Sequence, residues 1–183
     1  TDDILKAIEA TPAETVFVLP NNKNIIMAAE QAIPISTRKV IVIHTRTIPQ
    51  GISAMLNFDP DADDNQNAIE MQKSTERIAT GQITFAARDA DVDGVKIKQG
   101  ELMALLGGKI TFVDTDLEKT VLKLLKKMVK PDSEFITVIY GSDVTEAQAA
   151  EIEGKIQARF GQKAEITMIN GGQPIYYYIL SVE

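Results

Sequence analysis

No cysteine occurs among the 183 residues. That absence excludes disulfides, thiolate zinc sites and cysteine nucleophiles together, and it suits a cytoplasmic protein. Histidine occurs once, as His44, which leaves little material for a histidine metal site. No apolar run approaches the roughly 20 residues that span a bilayer, and no basic-then-apolar signal segment opens the chain. Positive charge is not in excess either. A formal net charge of -7 opposes a dominant contact with a phosphate backbone, so nucleic acid is not an expected partner. The glycine patterns of phosphate loops and dinucleotide folds are missing as well. What remains is a hydrophobic fraction of 44% and a charged fraction of 25%, the profile of a soluble globular protein with one domain or two small lobes.

The chain opens inside a helix, TDDILKAIEA, with Thr1 as N-cap and Ile4, Leu5 and Ile8 on one face. This abrupt start predicts a piece of a longer protein. Strand Val16–Leu19, helix Asn22–Ile33 and the continuously apolar strand Val40–Ile43 follow, then an apolar turn over Ile52–Leu56. Asp59-Pro60 predicts a cap with proline at the first helical position, opening a helix that reaches Thr80 and is closed by Gly81. The order αβαβαα predicts a small parallel sheet covered by helices.

Strand patterns occupy Gln82–Arg88, Gly94–Ile97, Glu101–Leu106 and Lys109–Val113, with Gly107-Gly108 as a hairpin signal between the last two. Thr115 to Glu118 and Thr145 to Gln148 read as capping boxes for two further helices. The first turns Leu117, Val121, Leu124, Leu125 and Met128 inward. The second turns Ala149, Ile152, Ile156 and Phe160 inward and ends at Gly161. Strands Phe135–Tyr140, Glu165–Ile169 and Pro174–Val182 complete the pattern. The expected fold class is α/β: two packed lobes, residues 1–81 and 114–183, with small mostly parallel or mixed sheets and a β-rich insert at 82–113 between them.

Four segments carry possible chemistry. In LPNNKN, strand gives way to helix through Asn21, Asn22, Lys23 and Asn24. One asparagine suffices for a cap; the others and the lysine suit an anion or a partner, since helix N-terminal amides favour negative charge. HTRTIPQG follows the second buried strand and brings His44, Thr45, Arg46 and Gln50 toward the same sheet edge, where ligands of open α/β sheets bind. DADVDG, Asp89–Gly94, imitates half of a calcium loop, but its twelfth position is Gly100 where a glutamate is needed, and strands flank it. A polar connection between strands is the reading it supports. KLLKKMVK, Lys123–Lys130, places four lysines along a helical face, which reads as a solvated face or a contact for an acidic surface. In GGQPIYYYILSVE the alternation sends Tyr176 and Tyr178 to one face and Tyr177 to the other.

The blocks LPNNKNIIMAAEQA, TRTIPQGISAML, TFAARDADVDGVKIKQGE and GGQPIYYYILSVE, in this order, resemble the C-terminal domain of the bacterial fatty acid kinase catalytic subunit, of the dihydroxyacetone-kinase-like family. The resemblance covers almost the whole chain. It implies a longer enzyme, with upstream kinase and middle domains, that phosphorylates a fatty acid held by a separate DegV-like carrier and feeds phospholipid synthesis. ATP and magnesium would then sit on the upstream domain, with no cofactor, metal or catalytic residue in this chain. The implied task is docking of the carrier, and the full protein could pair as a homodimer. Asn21, Asn22, Lys23, Asn24, His44, Arg46, Arg88, Gln173 and Tyr176, all from the matched blocks, are the candidate partner- or ligand-binding residues. The alternative is a lobe that binds a phosphate or carboxylate and contributes residues to an active site.

Overall fold

A computed structural model describes all residues from Thr1 to Glu183. They form two compact units, Thr1–Ile78 and Ala79–Glu183.

The first unit contains α1 (Asp2–Ala10), β1 (Thr15–Val18), α2 (Lys23–Ala32), β2 (Lys39–Val42), α3 (Ile48–Leu56) and α4 (Asp64–Thr75). β1 and β2 pair in parallel, Val16 opposite Val40 and Phe17 opposite Ile41. Parallel neighbours need a crossover, and α2 supplies it. Because successive side chains of a strand point to opposite faces, the pair builds two small cores. Val16, Val18, Val40 and Val42 pack with Ile4, Ile8 and Ala32 on one face. Phe17, Leu19, Ile41 and Ile43 pack with Ala54, Ala68 and Met71 on the other. A polar clasp holds the loop before β2. The Glu9 carboxylate accepts hydrogen bonds from Ser36 Oγ (2.7 Å), Thr37 N (2.9 Å) and Thr37 Oγ1 (2.7 Å).

The second unit contains β3 (Ala79–Phe85), β4 (Ala90–Val92), β5 (Val95–Ile97), β6 (Leu102–Leu106), β7 (Lys109–Asp114), α5 (Leu117–Met128), β8 (Phe135–Tyr140), α6 (Glu146–Phe160), β9 (Glu165–Asn170) and β10 (Tyr176–Val182). Six strands form one mixed sheet in the order β7-β6-β3-β10-β8-β9, in which only β8 and β9 are parallel. Val121, Leu124, Leu125 and Met128 of α5 and Ala149, Ile152 and Ile156 of α6 are buried in its core with Ile83, Val138, Tyr178 and Leu180.

The mixed α/β class is as the sequence predicts, but several boundaries differ for identifiable reasons. Residues 82–113 do not stand apart as an insert: β3, β6 and β7 hydrogen-bond into the same sheet as β10 and β8. The fourth helix begins at Asp64 under an Asp63 cap, not at Asp59-Pro60, because the Asn67 side chain bonds both backbone groups of Asp59 (2.8 Å each) and holds a turn there. Gly81 closes no helix. It lies in β3, where an added Cβ would come within 2.6 Å of Met128 Sδ and 2.9 Å of Leu124 Cδ2, so glycine is what lets α5 sit close to the strand. The cap of α5 is Asp116 rather than Thr115, since Asp114 accepts the amides of Thr115 (2.7 Å) and Asp116 (3.2 Å) and holds Thr115 before the helix. The Thr145–Gln148 capping box and the Gly107-Gly108 hairpin, with φ of 60° and 82°, form as read.

Candidate functional site

The polar turn after β1 divides its labour. Asn22 is the N-cap of α2 and accepts the Asn24 amide at 2.9 Å. Asn21 adopts φ 55°, a left-handed conformation that asparagine tolerates better than most residues. Its amide donates to Thr45 Oγ1 at 3.0 Å, and Thr45 is fully buried. This bond ties the turn after β1 to the segment after β2, the shared sheet edge the sequence predicts. The Asn21 side chain lies against Gly51, where an added Cβ would fall 2.1 Å from its Oδ1. Asn21 Oδ1 is buried and accepts no hydrogen bond from the chain. Lys23 and Asn24 remain exposed.

The element that meets this turn is α3, and its burial is inverted. Proline, glycine, serine and alanine face inward, as Pro49, Gly51, Ser53 and Ala54. Large apolar side chains face out: Ile48 is 44% exposed, Ile52 39%, Met55 58% and Leu56 81%. Together with Leu19, Asn21 and Gly51 they line a largely apolar groove of about 270 Å³. The helix is well anchored despite this. Thr47 caps it by accepting the Gln50 amide (3.3 Å), and Ser53 Oγ donates to Ser74 O (3.3 Å). Sequence reasoning treats Ile52–Leu56 as a short apolar turn and misses the groove. The signal is present in IPQGISAML: large apolar residues at i, i+4, i+7 and i+8 from Ile48, with small ones between them.

His44 and Arg46 are placed differently. His44 Nε2 lies 2.8 Å from Glu30 Oε1 of α2, both side chains about half exposed, and its amide donates to Gln72 Oε1 (2.8 Å). The Arg46 amide donates to Gln50 Oε1 (2.7 Å), while its guanidinium is exposed and makes no ion pair. No hydrogen bond joins either residue to Lys23 or Asn24. The structure therefore brings Asn21, Thr45 and α3 together, and leaves His44 and Arg46 with partners of their own.

In the second unit, Gln173 acts as a clamp. Its Nε2 donates to Ile139 O (3.2 Å) and Tyr176 O (3.3 Å), and its own carbonyl accepts from Ser142 N (2.9 Å) and Oγ (3.3 Å). Gly171 is required beside it, because a Cβ there would lie 2.1 Å from Gln173 Oε1. Ile175 is held at φ 73° with its side chain 59% exposed, an unusual conformation for a β-branched residue. Thr84 Oγ1, on β3, donates to Ile175 O at 2.8 Å and helps fix it. Tyr176 is half-buried opposite Thr84, and a register shift between Tyr176 and Tyr178 bulges Tyr177, whose ring meets Phe85 at 6.0 Å. Arg88 is exposed and joins no hydrogen bond or ion pair with these residues. Asp89, Asp91 and Asp93 border the β4–β5 hairpin, where Asp93 and Gly94 make the turn at φ 51° and 79°.

Displaced titrations mark structural contacts. Hydrogen bonds from Ser36 and Thr37 lower the Glu9 carboxyl to about 2. Lys39 and Thr15 lower Asp64, and the Asp116 and Thr115 amides lower Asp114. Burial raises the Tyr178 phenol to about 12. The α3 groove, by contrast, offers apolar area beside amide and ammonium groups. That combination suits recognition rather than bond making.

Comparison with known proteins extends this picture. Residues 1–183 match the FakA-like C-terminal family, a family of fatty acid kinase domains. Protein YloV of Bacillus subtilis is 39% identical over 183 residues, which are all of this chain and 33% of that protein. An uncharacterized protein of Staphylococcus aureus strain USA300 is 42% identical over the same span, again 33% of its length. The chain thus spans about a third of the curated relatives it matches. Among solved structures, hypothetical protein TM841 from Thermotoga maritima, whose structure is described as revealing a fatty acid binding function, has a TM-score of 0.69 at 13% identity, covering 100% of this chain and 74% of that one. The dihydroxyacetone kinase of C. freundii has a TM-score of 0.64 at 15% identity, covering 99% and 40%. At these identities the structural likeness speaks for the fold.

Proposed function

Because the chain belongs to the FakA-like C-terminal family of fatty acid kinases, we propose that it is a non-catalytic domain that docks a fatty-acid-loaded DegV-like carrier. The acyl carboxylate would then be phosphorylated by ATP, with magnesium, on an upstream kinase domain of the same cytoplasmic protein. The observation that carries this reading is α3: a helix that buries its small residues and holds Ile48, Ile52, Met55 and Leu56 in solvent beside Asn21. Contiguous exposed apolar side chains rimmed by polar groups mark protein interfaces. Buried apolar anchors contribute most of the binding energy in such interfaces. No helix of the chain is long and apolar enough to cross a membrane.

Titration calorimetry of the chain with a purified, fatty-acid-loaded DegV-like protein tests the proposal. A complex is expected with Kd in the micromolar range, and Leu56→Asp should weaken it by about tenfold or more. No heat at ~tens of micromolar, with the same result for the full-length protein, would refute it. A second reading, a lobe that binds phosphate or carboxylate, draws on Lys23 and Asn24, exposed at the amide-rich start of α2. Thermal stabilisation by phosphate, ATP or an acyl phosphate, lost in Lys23→Ala, would favour that reading instead.

A further inference from the structure

The basic segment KLLKKMVK is not used by the docking reading, and the structure gives it company. Lys119, Lys123 and Lys126 of α5, at i, i+4 and i+7, line a groove of about 540 Å³ into which α6 contributes Lys155 and Arg159. Leu122, mostly buried, lies between them, and Asp116 and Glu118 are the only carboxylates of the lining. Charge along the groove is uneven. Lys155 pairs with Glu118 and, at 3.7 Å, with Glu151; Lys119 pairs with Asp114 at 3.7 Å. The Lys123 ammonium sits 4.2 Å from the centroid of the Phe112 ring. Lys126 and Arg159 are exposed and have no carboxylate partner.

A cation in the last turn of a helix is favourable by itself, and Lys126 and Arg159 occupy such turns. That accounts for each singly. It does not account for two helices turning their cations into one groove, where like charges repel, in a chain whose net charge is -7. An anion in the groove would offset the repulsion. We propose that the groove between α5 and α6 binds an acidic segment, rich in Asp and Glu, of a partner protein.

The other anions fit less well. Lys119 to Lys126 spans about 10 Å along the helix, which exceeds one phosphate or carboxylate. A membrane-binding helix needs apolar anchors beside its cations, and none of the exposed large hydrophobic residues lies on α5 or α6. The overall negative charge opposes nucleic acid. The groove belongs to the second compact unit and is lined by none of the residues of the α3 groove. The proposal therefore goes beyond the docking reading and does not depend on it.

A fluorescein-labelled poly-glutamate peptide is the direct probe, read by anisotropy against the whole chain, with no carrier protein in the assay. Saturable binding that weakens steeply with added salt is expected. Lys126→Glu combined with Arg159→Glu should weaken it by about tenfold or more, because favourable contacts become repulsive. Lys109→Glu, on β7 and outside the groove, should leave it unchanged. Circular dichroism shows whether the double variant keeps its fold, and Lys126→Gln with Arg159→Gln should give an intermediate loss. Absence of peptide binding at low salt would overturn the proposal. So would binding that ignores the double variant, or equal loss in Lys109→Glu. Co-sedimentation with vesicles containing phosphatidylglycerol, without peptide binding, would assign the groove to a lipid surface and overturn it too.

Discussion

Helices α3 and α5 are both amphipathic, and they use that property in opposite senses. α5 buries Val121, Leu124, Leu125 and Met128 and shows lysines to water. α3 buries Gly51, Ser53 and Ala54 and shows Ile48, Ile52, Met55 and Leu56. Hydrophobic burial drives folding in proportion to the apolar area removed from water. By that measure α5 stabilises its unit and α3 withholds most of its apolar area. A helix that keeps large side chains exposed while packing through small ones is arranged for contact with something outside the chain.

The largest effect that can break this contrast is a core deletion. Leu125→Ala, at a fully buried position of α5, should destabilise by ~2–5 kcal/mol. Leu56→Ala on α3, 81% exposed, should stay within ~0.5 kcal/mol of the parent, as surface changes do. Urea unfolding compares the two directly. A large loss at Leu56 would show that α3 is a structural helix after all. Next comes Gly51→Ala, which pushes a Cβ toward Asn21 Oδ1. It should cost ~1–3 kcal/mol as an overpacking change, and Asn21→Gly in the same chain should recover part of it by removing the obstructing side chain.

Acid should reach the first unit through Glu9. Its carboxyl titrates at about 2, below the ordinary 4.5, because the charged form accepts bonds from Ser36 and Thr37. The stability this lends is fully present above the unfolded value of 4.5 and is lost as pH falls through about 2. Glu9→Gln should therefore melt lower than the parent near neutral pH, and the two melting curves should converge toward acid. Parallel curves across that window would show that the clasp does not depend on ionisation.

How much of this is legible in the sequence follows from the range of each interaction. The turn LPNNKN, its Asn22 cap, the Thr145–Gln148 box and the Gly107-Gly108 hairpin depend on neighbours a few residues apart, and their residue types announce them. Gly81 reads locally as a helix stop, but its role is set by Met128 and Leu124, more than forty positions away. The membership of β3, β6 and β7 in one sheet with β8 to β10 is a long-range pairing that alternation cannot reveal. Of the candidate site, Asn21 and Gln173 prove to be fixed by packing, and Lys23, Arg46 and Arg88 remain exposed. Thr45 and α3 escape the sequence: one is a buried bond partner of a residue at the turn, the other an apolar stripe whose direction only the fold supplies.

The smallest expected effect concerns the corresponding contrast in the second unit, between buried Tyr178 and exposed Ile175 of the same segment. A β-branched residue at φ 73° carries steric strain of ~1–2 kcal/mol, since its Cβ crowds the backbone in the left-handed region. Asparagine tolerates that conformation, and the backbone carbonyl that Thr84 holds is unchanged by the side chain. Ile175→Asn should therefore raise stability by ~0.5–1 kcal/mol, less than the full strain because some apolar contact is lost. Such a gain means that the chain tolerates strain in order to keep an apolar side chain in solvent, which is the stability–function trade-off expected of a recognition loop. A loss of stability in urea would reverse that inference: Ile175 would then be retained for packing within its own unit, and α3 alone would keep the inverted pattern.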